Sequence, residues 1–367
     1  MAQGITPDGI AVHNRVEATT ERKLNAKVVD NILNSRTYFS RLMGMGKPFR
    51  GSTFDYTIKI TDSGLGEFFS GLETLATSAS DTTITLSFAH AAFAQPVVLP
   101  MLESFANTGP EATIDLDLFK LEEAVAEATQ KLGAAAYGTG SGDEPLGLGA
   151  IIDDGTDVGT IGGQTRSSYD PLDATRTASG GTLTLAKLAT LHDNCTAAGV
   201  ETEEPNIHLT NKTVWSLYEQ LLTPAVRAEY SAVGYPKVPI RGSGIVKPTE
   251  LKGGSGFTAL SYRGAPVLKD DACTAQNWFM VNERYIDWRG RTVVPSKFKG
   301  QLSKVDLGTP KTMEGVAAAP SKYHGFFFQD LRMLPNQAGM IGRYYVIGQM
   351  VVSQPRTNGR LTGITGV

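Results

Sequence analysis

Two separated stretches of the chain alternate apolar and polar positions. In "TFDYTIKI" the apolar positions are Phe54, Tyr56, Ile58 and Ile60; in "TTITLSF" they are Ile84, Leu86 and Phe88. Period-two alternation predicts half-buried strands, and the pair predicts a long hairpin whose tip, "TDSGLGEFFSGLETLATSASD", is polar and aromatic. Two strands alone are marginal in water, and their outer edges present unpaired N–H and C=O groups. The tip also carries Leu65, Phe68, Phe69, Leu72 and Leu75. Such a hairpin must lie on something, either its own domain or a neighbouring subunit, and the pattern leaves both open.

Elsewhere the period is helical. In "IDLDLFKLEEAVAEATQKLGAAAYG", Leu118, Leu121, Val125, Ala128, Leu132 and Ala135 form one apolar stripe. Asp115 and Asp117 suit its N-terminal end and Lys131 its C-terminal end, and Gly138 suits a left-handed cap. This is the strongest helix of the sequence, a strut. A second helix is predicted in "TLTLAKLATLHDNCTAAG", with Leu185, Leu188, His192 and Cys195 on one face. A third is predicted in "KTVWSLYEQLL", capped by Asn211, with Val214, Leu217, Tyr218 and Leu221 inward and Pro224 beyond its end. "PNIHLT", "TALSYRGAPVLKD" and "NWFMVN" read as strands, with Arg263-Gly264 as a turn. Residues 182–282 thus form a compact α+β unit. From 326, "FFFQDLRMLPNQAGMIGRYYVIGQMVVS" is more strand, and "QPRTNGRLTGITGV" a loose tail. Residues 1–50 are polar, with Leu24, Val28, Ile32 and Leu33 at helical spacing, an arm with one amphipathic helix. No internal repeat or low-complexity tract is visible.

Composition narrows the function. The 367 residues are 41% hydrophobic and 19% charged, with net charge −3, a folded chain without the basic balance of a dedicated nucleic-acid binder. Two cysteines give no disulfide framework and suit a reducing compartment. No signal peptide and no run of about 20 apolar residues is present, so no membrane association is expected.

Candidate chemistry is sparse. The run "YGTGSGDEPLGLG" at 137–149 is glycine-rich, but no Lys follows it, Asp143 and Glu144 occupy it, and the helix precedes it. A phosphate-binding loop needs the reverse order, so the run reads as a hinge. His192 and Cys195 share a helix face, yet two ligands do not make a zinc site, and a buried helix edge is the expected role. There is no G-x-S-x-G elbow and no H-E-x-x-H. Asp153-Asp154 and Glu203-Glu204 read as solvated loop pairs. "NERYIDWRGRTVVPSKFKG" interleaves Arg284, Arg289, Arg291, Lys297 and Lys299 with Tyr285 and Trp288; without a nucleic-acid module around it, a surface or inter-subunit role is expected, with weak backbone contact to nucleic acid as a minor one. No catalytic, cofactor-binding or metal-binding residue is assigned, no cofactor is expected, and the chain is read as no enzyme.

The order of parts resembles the major capsid protein of tailed bacteriophages, the Hong Kong 97-type capsid fold. "LEEAVAEATQKLGAAAYGTGSGDEPLGL" is similar to that family's spine helix running into its G-x-G … P-x-G-L segment. "YRGAPVLKDDACTAQNWFMVNERYIDW" is similar to its G-x-P-V … D strand and the strand and turn that follow. "PNQAGMIGRYYVIGQMVVSQPRTNGRLTGI" is similar to the close of some capsid subgroups. The resemblance implies an α+β fold with an N-terminal arm (1–50), an extended hairpin loop with its return strand (51–110), a peripheral domain with the spine helix (111–181), an axial domain (182–325), and late strands returning to the peripheral domain with a C-terminal tail (326–367). It implies a structural protein that assembles into hexamers and pentamers of an icosahedral phage head around double-stranded DNA. Leu65, Phe68, Phe69 and Leu72 would then make inter-subunit contacts, and Arg15, Arg22, Lys23 and Lys27 would face packaged DNA by non-specific contact. Implied partners are a separate scaffolding protein (or the chain is a processed product), a portal and decoration proteins. The implied location is the virion, with assembly in the host cytoplasm. Lys59 is the single lysine of the hairpin and lies in a strand, so no cross-link is expected. An encapsulin-like protein shell shares this fold and is the alternative. A soluble hydrolase built on 182–325, using His192, Cys195 or His324, is the remote one.

Overall fold

The structure is a computed structural model that describes residues 37–72, 74, 78, 81–106, 116–196, 203–226, 260–291, 302–304, 325–334 and 337–367. Helix α1 (Thr37–Gly44) leads into strand β1 (Lys47–Phe49), then the hairpin strands β2 (Thr53–Lys59) and β3 (Thr83–Ala89), β4 (Ala91–Pro100), the short α2 (Met101–Ala106) and the long α3 (Leu116–Ala135). A short α4 (Leu148–Ile151), small strands β5 (Thr160–Ile161), β6 (Gln164–Thr165), β7 (Thr175–Thr177) and β8 (Gly181–Thr182), and helix α5 (Leu185–Cys195) follow. Then come β9 (Ile207–Thr210), α6 (Lys212–Val226), β10 (Leu260–Tyr262), β11 (Ala265–Lys269), β12 (Trp278–Val281), β13 (Ile286–Arg291), β14 (Leu302–Lys304), β15 (Phe326–Met333), β16 (Gly339–Val352), β17 (Gly359–Leu361) and β18 (Ile364–Gly366).

Two larger sheets organise these strands. The first centres on β16, which pairs antiparallel with β4, β15 and β13; β1 adds to β13 in parallel and β14 to β15. Along β4 burial alternates: Gln95, Val97 and Leu99 lie under α3, whose inward stripe is Ala124, Ala128 and Leu132, and Pro96 and Val98 face outward. Gln95 also donates to Glu127 of α3 at 2.7 Å. The strut is therefore an amphipathic helix laid on one face of a sheet, as its 3.6-residue period requires.

The second sheet runs β10-β11-β9-β12-β17-β7. It is covered on both faces. Ile207, Leu209, Phe279 and Val281 point into the main core with Tyr38, Tyr137 and Ile151, and Trp278 and Met280 point the other way, against Leu188, Leu191, Val214 and Tyr218 of α5 and α6. Burial on both faces explains why these strands read as short continuous apolar runs instead of alternating ones. In α5, Thr184 caps the first turn and Leu191 joins Leu188, His192 and Cys195 in the core, whereas Leu185, expected inward, is exposed. Asn211 caps α6 by accepting from the Val214 N–H at 2.9 Å, and the helix continues through Pro224 to Val226. The turn at Arg263-Gly264 has both residues at positive φ (46° and 82°), the twist-matched geometry of a tight hairpin.

Four expectations change. The arm expected to run to residue 50 is docked from residue 37 on: Tyr38, Phe39, Leu42 and Met43 are buried, Arg41 makes a two-pronged pair with Glu283 (2.6 and 2.7 Å), and β1 joins a sheet. The loose tail is a pair of strands; β17 is wholly buried between β12 and β7. Strand β13, read from sequence within 182–325, pairs with β16, and β17, read within the returning segment, pairs with β12. The glycine run is a locked joint instead of a hinge. The Leu148 N–H donates to Ala136 O at 2.7 Å, and a Cβ on Gly147 would sit 2.4 Å from the carbonyl oxygens of Ala135 and Gly138. No side chain fits there, so glycine lets the segment close against the end of α3.

Candidate interaction surface

The hairpin is half docked and half free. Strands β2 and β3 pair residue for residue, Phe54 with Phe88, Tyr56 with Leu86 and Ile58 with Ile84. Leu86 and Phe88 are buried in the main core, and Phe54, Tyr56, Ile58 and Ile84 pack on it. The β5–β6 turn lies against β3, with Ser87 donating to Gly162 O at 2.9 Å. Beyond Lys59, which pairs with Asp62, the chain leaves the body. Leu65 is half-buried, Phe69 is 62% exposed, and Phe68 and Leu72 are fully exposed. Leu75 lies outside the described residues. The question left open by the sequence divides: the stem lies on its own chain, and Phe68, Phe69 and Leu72 of the tip are exposed.

The stem is held by the basic-aromatic segment. The Arg289 guanidinium sits 4.3 Å over the Phe54 ring and donates to the Tyr56 hydroxyl (3.1 Å) and Asp287 (3.0 Å). Arg291 sits 5.3 Å over Phe49 and donates to Gly51 O at 2.5 Å. Burial raises the Tyr56 hydroxyl above the usual phenol range, so it stays neutral at physiological pH. Arg289 and Arg291, expected in a surface or inter-subunit role, hold the hairpin to the first sheet, and Trp288 between them is buried. Lys297 and Lys299 lie outside the described residues, as do the arm cations Arg15, Arg22, Lys23 and Lys27.

A second exposed apolar group was not singled out in the sequence. Leu102 (81%) and Phe105 (66%) are exposed on α2, and Phe105 with Met333 of β15 lines a cavity of about 240 Å³ together with Leu99, Met101, Ser104 and Met340. "MLESFA" is too short for a period to show. Another cavity, of about 360 Å³, lies between the stem and the body, lined by Ile58, Lys59, Ile60, Pro171, Tyr285, Ser353, Gln354 and Arg356.

His192 and Cys195, two of the residues considered for catalysis, are both buried. Cys195 is buried beside Gly359, and burial pushes its thiol up to about 12, so it carries no thiolate at neutral pH. His192 is buried, and Arg263 Nη1 approaches its Nδ1 at 3.1 Å while pairing with Asp193. Among the described residues no group of three or more His, Cys, Asp or Glu is placed to hold a metal, and no helix is long and apolar enough to cross a membrane. His324 lies outside the described residues. Asp153, expected in solvent, is fully buried: its Oδ2 accepts N–H bonds from Gly155, Asp157 and Val158, and its Oδ1 faces Arg360 at 3.2 Å.

His208 gives a testable consequence. It is enclosed among His192, Tyr262 and Trp278, with Nε2 3.3 Å from Tyr262 O. Burial first, and His192 second, lower it from 6.5 to about 3. An unfolded chain takes up this proton below about pH 6.5 while the folded chain does not, so this contribution to stability is present above pH 6.5 and falls progressively down to about pH 3. Urea midpoints measured from pH 7 to 4 should fall, and the fall should be shallower in His208→Gln; parallel curves would refute it.

No family model and no curated protein matches the sequence. Solved structures do match over nearly the whole chain. The capsid asymmetric unit of cyanophage A-1(L) superimposes with TM-score 0.69 at 15% identity, covering 96% of this chain and 99% of that one. The capsid of the native GTA particle gives 0.59 at 12% identity, covering 97% and 99%. The holo encapsulin complex of Synechococcus elongatus PCC 7942 gives 0.55 at 11% identity, covering 96% and 95%. The chain thus has the α+β fold of phage capsid proteins, the Hong Kong 97-type architecture that the order of parts resembles. The likeness to shell proteins extends across both larger sheets, the strut and the hairpin, since almost no part of the chain falls outside it.

Proposed function

We propose that this chain is a major capsid protein: a structural subunit whose copies close into an icosahedral phage head. The observation that carries the reading is the hairpin tip, which leaves the body and exposes Phe68, Phe69 and Leu72 together. A lone soluble chain gains nothing from such a patch, whereas a neighbouring copy can cover it. The capsid likeness over the full chain supports the same reading. The mechanism is energetic: each copy buries its tip, with obligate interfaces typically about 2,000–5,000 Å², and shell closure follows from a heterologous contact repeated around symmetry axes.

In this reading Leu65, Phe68, Phe69 and Leu72 are inter-subunit contacts within hexamers and pentamers, and Arg15, Arg22, Lys23 and Lys27 face double-stranded DNA through sequence-independent phosphate contacts. The parts are the arm, hairpin, peripheral and axial units expected from the sequence, and the partners a scaffolding protein, a portal and decoration proteins. Assembly takes place in the host cytoplasm and the product resides in the virion. The encapsulin match supports a second reading, a protein shell with other cargo. The purified chain, imaged by negative stain and sedimented, should give closed particles; a stable monomer at all concentrations would refute both readings. Co-purified nucleic acid protected from nuclease separates the first from the second.

A further inference from the structure

The larger cavity lies where the hairpin leaves the body, and its walls come from both. Ile58, Lys59 and Ile60 belong to the stem, and Pro171, Tyr285 and Arg356 to the body. Its volume is about 360 Å³, within the roughly 300–1,000 Å³ of small-molecule sites. At this end of the stem the Ile60 N–H donates to Thr82 O at 2.9 Å. No carboxylate lines the cavity, and Ser353 and Gln354 add a hydroxyl and an amide donor. Arg356 is exposed, and its guanidinium has no hydrogen bond or ion pair among the described residues. Arg284, beside Tyr285 in the chain, is exposed with an equally free guanidinium among those residues. Lys59 pairs with Asp62, but the two side chains are 63% and 87% exposed. Such a pair holds its partners weakly, so the Lys59 ammonium is free to turn to another anion.

A cation on the stem wall, a cation on the body wall, surplus donors and an apolar remainder define the ligand. A carboxylate is satisfied by one guanidinium, whereas a phosphate presents oxygens in several directions and meets a guanidinium and an ammonium together. The cavity is larger than a phosphate needs. Ile58, Ile60, Pro171 and the half-buried Tyr285 leave apolar surface for a carbon part. We infer that this cavity binds an organic phosphate of nucleotide size, the phosphate bridging Lys59 of the stem and Arg356 of the body and the ring lying against Tyr285 and Pro171. Stacking of a base on an aromatic side chain requires no particular base sequence. Within the basic-aromatic segment, Trp288 is buried and Arg289 and Arg291 are committed to the stem, so Tyr285 is the aromatic left facing a cavity. The bound group clamps the root of the hairpin to the body. Every group involved belongs to one chain, so the site does not depend on the shell reading. A free nucleotide and the end of a single nucleic-acid strand carry the same chemistry.

The test is titration calorimetry on the full-length chain at fixed ionic strength. The probes are deoxyadenosine monophosphate, inorganic phosphate, deoxyadenosine, and a short single strand with a terminal phosphate. The monophosphate should bind saturably and more tightly than either of its parts. Arg356→Gln and Lys59→Gln should each weaken it by about tenfold or more, the loss of one charge-assisted contact. Both side chains are exposed, so circular dichroism should be unchanged. Tyr285→Ala should weaken the monophosphate and leave inorganic phosphate as before; should that variant unfold, comparing the monophosphate with its two parts on the wild-type chain gives the same answer. Hydrogen exchange at the Ile60 N–H should slow when the monophosphate binds the wild-type chain, and not in Arg356→Gln. Absence of saturable binding, or binding that Arg356→Gln and Lys59→Gln leave unchanged, overturns the site and leaves the shell reading standing. Inorganic phosphate binding as tightly as the monophosphate overturns the role of Tyr285 and Pro171. Tighter binding of the strand than of the monophosphate supports the site and assigns it to a nucleic-acid end; equal or weaker binding supports it and assigns it to a free nucleotide.

Discussion

Replacing Phe68, Phe69 and Leu72 together by serine should leave a folded chain that builds no closed particles. All three side chains are exposed, and no described contact of the body depends on them. The stem below them keeps its own anchors, Leu86 and Phe88 in the core and Arg289 over Phe54. The folded state should therefore lose little. Assembly should lose much, since covering each such side chain is worth about 1.5–3 kcal/mol and the loss recurs at every contact of a shell. Deleting residues 62–80 should have the same outcome. Sedimentation should show slow species only, with an unchanged circular dichroism spectrum. Normal-sized particles from either variant would refute the assigned role of the tip.

The second large effect is on stability. Asp153→Ala should cost about 3–5 kcal/mol, the usual penalty for removing one partner of a buried ion pair. Asp153 is completely enclosed and joins parts of the chain far apart in sequence: Arg360 of β17 at 3.2 Å, Arg176 of β7 at 3.7 Å, and three backbone N–H groups of its own loop. Its removal strands Arg360, which is 5% exposed, with Asp157 alone at 2.7 Å. Asp153→Asn keeps the size and an acceptor oxygen and should lie between. Urea unfolding measures both; a change below about 1 kcal/mol in the alanine variant would show that the cluster is far better hydrated than its burial implies.

How much of this was legible depended on whether the physics was local. The hairpin and the strut follow from period alone, two in one case and 3.6 in the other, and the exposed tip residues stand out as apolar groups in a polar stretch. Strands β9 and β12 were readable as short apolar runs because they are buried on both faces. What failed was non-local. Asp153 looks like a loop carboxylate until Arg176 and Arg360 arrive from two other segments. Arg289 and Arg291 look like surface charge until Phe54 and Phe49 are seen beneath them. The glycine run looked like slack, because a sequence does not reveal that Ala135 and Gly138 carbonyls press on it. The facing of β16 was hidden too: it has half-buried residues on both sides, so its alternation is blurred.

The order in which the sheets close bears on when the molecule becomes sticky. Pro100 of β4 must await Gly339, and Thr177 of β7 must await Leu361, before either has its backbone partner. Closures of such separation are entropically slow. A half-synthesised polypeptide thus lacks the platform that seats its hairpin stem. In the shell reading, competence to polymerise is then postponed until the fold is nearly complete.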